Sequence, residues 1–528
     1  MEVSVISTEN IKPWSLAGSD RHELKPFKLC LLDQLMVSIH SPLVLFYTMK
    51  DEHHDKKSVG KRLKASLSNT LNPFYPLAGR VKDNLIIHDF EKGVPFTETR
   101  VKGHCLSDVA SPRGGGGPRL EFLNNLLPFE PHCYQEDEAA SPQLSVQLNT
   151  FDCGGIAIGI NLYHKLMDGA TTSAFLHTWA ANCSGDNPRM KKQPELRKAR
   201  SVFPPRDSIP TEVQTFSNRL FFGDVGRRPR RLPASRRFVF DEKAIAMLRT
   251  KAGLSITNPT RLEALSAFIW ESVLKAADDE EQQQQPTCLT QGVNMRPLMS
   301  QRLSKQSIGN LVTTAMASCA DSPAKSMREL VSLIRDGNLR VDENYLNGIS
   351  GEQGLTAMMQ GQKVFEGIPR QQVNDSLTSC KDTGNNVTMK ELVGLLREGM
   401  ARIVDEKYIN AICDAEHGFE AMLEGDKLLG ECGSGELMTC SSWIGFGTNS
   451  YDFGWGKPLW TGLYGDPTGD HPYANNFLVF KELGGRGREN SNAAIEAWIR
   501  LDEDVMAVLE HDPHFIQYVS PNPPIIIN

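Results

Sequence analysis

IAIGINLYHKLMDG, residues Ile156 to Gly169, is the stretch on which the reading of this chain turns. Ile156, Ile158, Ile160, Leu162 and His164 fall on one side of an extended chain, because strand side chains alternate with a period of two. ATTSAFLHTWA follows and reads as a helix. The stretch therefore predicts a strand ending on His164, then a turn at Asp168 and Gly169 that leads into a helix. A histidine closing an apolar strand face has two readings: a proton-transfer group, or a satisfied core histidine beside a helix cap. HKLMDG alone is too short to decide, so partner motifs elsewhere must.

Upstream, KSVGKRLKASLSNTL (57–71) places Val59, Leu63, Leu67 and Leu71 on one helical face. NPFYPLAGR (72–80) breaks that helix with two prolines, and NLIIH (84–88) reads as a strand. Gly114 to Gly117 make a flexible surface loop. Downstream, residues 185 to 235 are rich in Pro, Arg and Ser and mark a linker. The basic run Arg227 to Arg237 could meet phosphates, but reads first as a solvated loop. FVFDEKAIAMLRTKA opens a second folded region. PTRLEALSAFIWESVLKAA then sets Leu262, Leu265, Ile269 and Val273 at helical spacing, and DDEEQQQQ (278–285) is a low-complexity exposed loop.

The chain has 528 residues, 40% hydrophobic, with a formal net charge of -7. This length allows more than one domain and large cores without disulfides. The mild acidity argues against a nucleic-acid partner. No apolar run of about 18 residues is present, so no membrane span is expected. MEVSVISTENIKPWSL lacks the pattern of a signal peptide. Eleven scattered cysteines without a CxxC pair read as free thiols, which fits a cytoplasmic chain. The sequons at Asn182, Asn374 and Asn386 are then chance matches. No His/Cys set has metal-ligand spacing, so no metal is expected. A monomer is expected.

An internal duplication interrupts the second region. MRELVSLIRDGNLRVDENYLNGI from Met327 is answered by MKELVGLLREGMARIVDEKYINAI from Met389. SCADS (from Ser318) is answered by SCKDT (from Ser379), and GLTAMMQGQK by GFEAMLEGDK. The two units, about 318–378 and 379–440, match at about 20 positions. Each opens as an amphipathic helix, with Leu330, Val331 and Ile334 in the first and Leu392, Val393 and Leu396 in the second. Both would compete for one docking groove. A recent partial duplication or a faulty gene model explains this better than a repeat architecture, which needs three or more units.

YDFGWGKPLW (Tyr451 to Trp460) stands in the last fifth of the chain. Together with FYPLAGR, VNMRP (Val293 to Pro297) and FDCGGIAIGINLYH before HKLMDG, it gives an ordered set far more specific than any one member. On these motifs the chain resembles the BAHD acyltransferases, plant enzymes that move an acyl group from coenzyme A to an alcohol or amine. LLDQL (Leu31 to Leu35), LVLFY and FDCGG are most similar to the alkaloid acetyltransferase branch. The resemblance implies an α/β fold of two chloramphenicol-acetyltransferase-like domains, with mixed sheets flanked by helices and the active-site channel between them. The corresponding division is an N-terminal domain at 1–200, a crossover linker at 201–237 and a C-terminal domain at 238–528.

The resemblance also implies roles. His164 would be the general base: a neutral imidazole takes the acceptor hydroxyl's proton as it attacks the thioester, then protonates the departing sulfur. No acyl-enzyme and no permanently bound cofactor are implied; acyl-CoA, most simply acetyl-CoA, is the co-substrate. Asp168 could orient His164 as in a triad, but by resemblance it turns away to pair with Arg296. Gly169 leaves room in the channel. Asp452, Gly454, Trp455 and Gly456 support the fold, and DFGWG lacks the Lys and helix start of a phosphate-binding loop. Ser441 and Trp443 are the oxyanion candidates; for Trp443 plain packing is the other reading. Gly445, Thr448, Asn449 and Ser450 depart from the family pattern. The expected acceptor is a hydroxyl on a plant specialised metabolite such as an alkaloid or terpenoid. A non-catalytic paralogue and a hydroxycinnamoyl-type transferase are the alternatives.

Overall fold

The computed structural model of the chain describes residues 1–17, 24–49, 56–112, 116–131, 137, 139–185, 193–209, 211, 214, 233–253, 258–276, 287–319, 327–341, 346, 350, 437–466, 476–483 and 494–525. The chain divides into two compact units, Met1–Val341 with Ser434–Asn528, and Asp342–Gly433. All but two residues of the second unit lie outside the described residues. So do the second duplicated copy up to residue 436, DDEEQQQQ, the sequons at Asn374 and Asn386, and most of the expected linker at 201–237.

The first unit is mixed α/β with sheets flanked by helices. One six-stranded sheet runs in the order Glu2–Ile11, Val94–Lys102, Leu144–Phe151, Ile156–Tyr163, His40–Tyr47 and Trp460–Gly462. Its second and third strands are parallel and its other neighbours antiparallel. A seven-stranded sheet runs Val312–Cys319, Thr287–Asn294, Leu437–Ser442, Phe477–Glu482, Ile495–Asp502, Pro233–Phe240 and Ser520–Pro521. Strand Trp460–Gly462 pairs with His40–Tyr47 from more than 400 residues upstream, so the last fifth of the chain contributes to the first sheet.

Ile156, Ile158, Ile160 and Leu162 are all buried on the strand Ile156–Tyr163, as alternation requires. They pack into one core with Val59, Leu63, Leu67 and Leu71 of the helix Lys56–Thr70 and its end, and with Phe175 and Trp179 of the helix Gly169–Ser184. Asn182 on that second helix donates to the Thr70 hydroxyl at 2.8 Å. The strand expected at 84–88 begins only at Ile86. Asp83 and Asn84 have φ of 54° and 49°, a left-handed pair that reverses the chain into a hairpin.

The helix Arg261–Ala276 buries Leu265 and Ile269 fully, with Leu262 and Val273 partly buried. Helix Met327–Arg340, from the first duplicated copy, lies against it. Leu330, Val331 and Ile334 are buried there, and Arg335 pairs with Glu263 at 2.7 Å. Among the described residues no helix is long and apolar enough to cross a membrane.

Candidate active site

His164 follows the last residue of its strand, and its N–H donates to the Ile39 carbonyl at 2.9 Å, extending the pairing with the neighbouring strand. Its ring lines a cavity of about 130 Å³ walled by both sheets. Met36, Pro42 and Met167 contribute from the first sheet's side, and Thr290, Ser441 and Val479 from the second sheet.

Asn310 settles the tautomer of His164. The Asn310 amide nitrogen donates to the His164 carbonyl at 2.7 Å and to Asp33 Oδ1 at 3.2 Å. Its oxygen is thereby turned to His164 Nδ1, 3.1 Å away. An amide oxygen only accepts, so Nδ1 carries the hydrogen and the neutral ring's basic nitrogen is Nε2. Asp33 anchors Asn310 from behind, accepting its backbone N–H at 2.7 Å and that of Cys30 at 3.0 Å. Burial pushes the Asp33 carboxyl up to about 6 in spite of those donors. Burial also lowers His164 below the ordinary imidazole value, against the opposing pull of the Asp168 charge and the Asn310 bond. The ring is therefore neutral at pH 7, the form a base requires.

Asp168 is the N-cap of the helix Gly169–Ser184 and accepts from the Thr171 N–H at 2.7 Å. Its carboxylate also takes the Leu311 N–H at 3.0 Å and two Arg296 nitrogens at 2.7 and 3.3 Å. Both oxygens are thus engaged away from the His164 ring nitrogen that Asn310 holds. Arg296 in turn reaches the carbonyls of Ser307 and Gly309 at 2.9 and 3.0 Å. The fork ties the turn after His164 to the segment 294–311 that supplies Asn310. Beside Gly169, any Cβ would collide with the Phe446 ring, which lines the cavity.

Ser441 and Trp443 also line the cavity, at the end of the strand Leu437–Ser442. The DFGWG residues do not. The Asp452 carboxylate caps its own loop, accepting from Gly454 and Gly456 N–H at 2.8 and 2.9 Å. Both glycines have φ near +99°, which favours glycine. Trp455 stacks on Phe453 and lies under the Arg62 guanidinium at 5.2 Å. The segment thus packs on helix Lys56–Thr70, and Arg62 also bonds Cys183 and Phe453 carbonyls. The divergent stretch between Trp443 and DFGWG is tied in place: Ser173 holds the Phe446 carbonyl at 2.7 Å, and Asn449 holds that of Glu482 at 3.0 Å.

Sequence reasoning brought His164, Asp168, Gly169, Arg296, Ser441 and Trp443 to this place, but missed Asn310 and Asp33. The available signals were an acid inside the apolar run LLDQL and a Gly309-Asn310 step between Ile308 and Leu311. Among the described residues no group of three or more His, Cys, Asp or Glu side chains could hold a metal ion.

A family model described as the Transferase family matches residues 1–370 and 371–516, and the break between its two pieces falls within the duplicated region. An epi-neemfruitin B 7-O-acetyltransferase from Melia azedarach is 30% identical over 534 residues, covering 99% of each chain. A limonoid 7-O-acetyltransferase from Citrus sinensis is 29% identical over 549 residues, again covering 99% of each. The crystal structure of vinorine synthase superposes with a TM-score of 0.68 at 26% identity, covering 98% of this chain and 99% of that one.

Proposed function

The chain belongs to the Transferase family, the BAHD acyltransferases its motifs resemble, and we propose that it moves an acetyl group from acetyl-CoA to a hydroxyl on a polycyclic alkaloid or terpenoid, with His164 as general base. The observation that carries this reading is the His164–Asn310 bond, which leaves Nε2 as the basic nitrogen of a neutral ring on a cavity wall. The names of the acetyltransferase relatives support acetyl as the group transferred. The apolar wall of Met36, Pro42, Met167 and Leu463 suits a hydrocarbon scaffold.

In the reaction, Nε2 takes the acceptor hydroxyl's proton as the oxygen attacks the thioester carbonyl. The tetrahedral intermediate collapses with breakage of the C–S bond. The imidazolium returns the proton to sulfur, so one alcohol and one thioester become one ester and one thiol. Asn310 keeps Nδ1–H in place through both proton transfers, and the Asp168–Arg296 fork holds the turn that presents the ring. Ser441 and Trp443, which line the same cavity, are the candidate donors to the oxyanion.

His164→Ala tests this directly. Transfer to a panel of limonoid and alkaloid alcohols is expected to fall by about 10²–10⁴-fold or more. Calorimetric CoA affinity is expected to stay unchanged, because the base acts on the acceptor's proton. Turnover within tenfold of the unaltered chain would refute the mechanism.

A further inference from the structure

The cavity wall built by the second sheet carries a polar feature that the transfer reaction leaves unused. Side chains on one face of a strand recur every second residue, and Thr290, Gly292 and Asn294 all line the cavity. On the flanking strands, Thr314 lies opposite Gly292 and Thr439 opposite Thr290. The Thr290 and Thr439 hydroxyls satisfy each other at 3.3 Å. Thr314 differs. It is 7% exposed, lines the cavity, and its hydroxyl has no hydrogen-bond partner among the described residues. A buried hydroxyl without a partner is unfavourable, and valine would fill the same space without that penalty. Beside it the wall is open. Among the described residues, a Cβ on Gly292 would meet only the Val312 methyl, at 3.5 Å.

We propose that Thr314 and the space over Gly292 form a specificity subsite, in which the Thr314 hydroxyl bonds a neutral oxygen or amide group of a bound substrate and the glycine admits the carbon frame beside it. The proposal rests on the acyltransferase reading, since it needs a substrate in this cavity. A charged group is disfavoured, because the neighbouring wall residues Thr290, Thr439 and Ser441 offer only neutral hydroxyls. Two sources carry the right chemistry: the amides of the acyl-CoA pantetheine arm, and a ketone, ether or second hydroxyl on the acceptor.

The test compares the full chain with Thr314→Val, Thr314→Ser and Gly292→Val. Coenzyme A binding is read by calorimetry, and KM by acetyl transfer to a limonoid alcohol bearing a ring ketone. Thr314→Val is expected to raise the ligand-free Tm, because it removes an unmet hydroxyl. It is also expected to weaken one ligand by about five- to tenfold, the worth of one hydrogen bond. Thr314→Ser restores that affinity, and Gly292→Val weakens the same ligand. A loss confined to CoA assigns the subsite to the pantetheine arm; a raised acceptor KM with CoA unchanged assigns it to the acceptor. Both constants staying within twofold overturns the proposal while leaving the acyltransferase reading intact. In a chain that binds CoA but acetylates nothing, unchanged CoA affinity in Thr314→Val overturns it equally. Failure of the unaltered chain to bind CoA at all removes the acyltransferase reading, and the subsite with it.

Discussion

Asp168 and Glu496 are buried carboxylates that each meet arginine, and they do so on different terms. Asp168 faces one cation, Arg296, and shares its oxygens with two backbone N–H groups. Glu496 faces two cations, with Arg237 at 3.0 Å and Lys481 at 2.7 Å, and also accepts the indole N–H of Trp460 at 3.2 Å and Trp498 at 3.1 Å. All three charged side chains of this second cluster are fully buried. Burial would raise the Glu496 carboxyl, but the charges and bonds of Arg237 and Lys481 bring it down to about 2. The difference lies in what remains when the acid is lost. Arg296 keeps carbonyl acceptors at Ser307 and Gly309, and the Asn294 and Thr171 oxygens at 3.2 and 3.1 Å. Lys481 has no partner other than Glu496 among the described residues. One carboxylate locks an otherwise satisfied loop; the other neutralises a core that is cationic without it.

Glu496→Gln should therefore be the most damaging single change. Leaving two buried cations uncompensated costs about 3–5 kcal/mol, read as a lower midpoint in urea or as loss of soluble protein. If it proves milder than Asp168→Asn, the comparison fails. A pH series sharpens the contrast with a third buried acid. Asp33 has its folded pKa raised from 3.8 to about 6, so between about pH 4 and pH 6 the folded chain binds a proton that the unfolded chain has released. Its contribution to stability therefore declines as pH rises through that window, by about 3 kcal/mol. Glu496 has the opposite sign: its contribution is present above about pH 4 and is lost as pH falls towards 2. Asp33→Asn should gain stability relative to the unaltered chain from pH 4 to pH 6. A flat difference between the two curves would show that Asp33 titrates normally.

The same acids mark how far the sequence can be read. The strand and helix around His164 are legible because apolar residues there follow the two-residue and 3.6-residue periods. Asp168 and Arg296 are legible because motifs with a known order contain them. Glu496 is not. In IEAWIRLD, Ile495, Ala497 and Ile499 alternate with Glu496, Trp498 and Arg500, and a charged alternate face reads as solvent-facing. The Trp460 ring covers it instead, stacked on Trp498 at 5.9 Å and carried by a strand that has joined the other sheet. That burial is a tertiary event with no local signal. Asn310 and Asp33 fail for a related reason: they meet across 277 residues, and short polar interruptions of apolar runs carry no period. The hairpin at Asp83–Asn84 is a smaller miss, where two residues tolerant of left-handed backbone stood at the start of an apolar run.

Asp168→Asn gives the smallest stability effect of the set, and the most specific one. Asparagine can still cap the helix through its oxygen, and Arg296 keeps its carbonyls, so the loss should be about 1–3 kcal/mol. The charge, however, is gone. Asp168 pulls the His164 pKa upward through space, against the burial that lowers it. Without that charge the imidazole should hold its proton less well, and the acid limb of the kcat/KM profile should move to lower pH while CoA affinity stays constant. A purely architectural carboxylate would lower the yield of folded enzyme and leave the limb where it was. A limb that moves to higher pH would mean that the variant has exposed His164 to solvent, and that the fork's main contribution is keeping the ring buried.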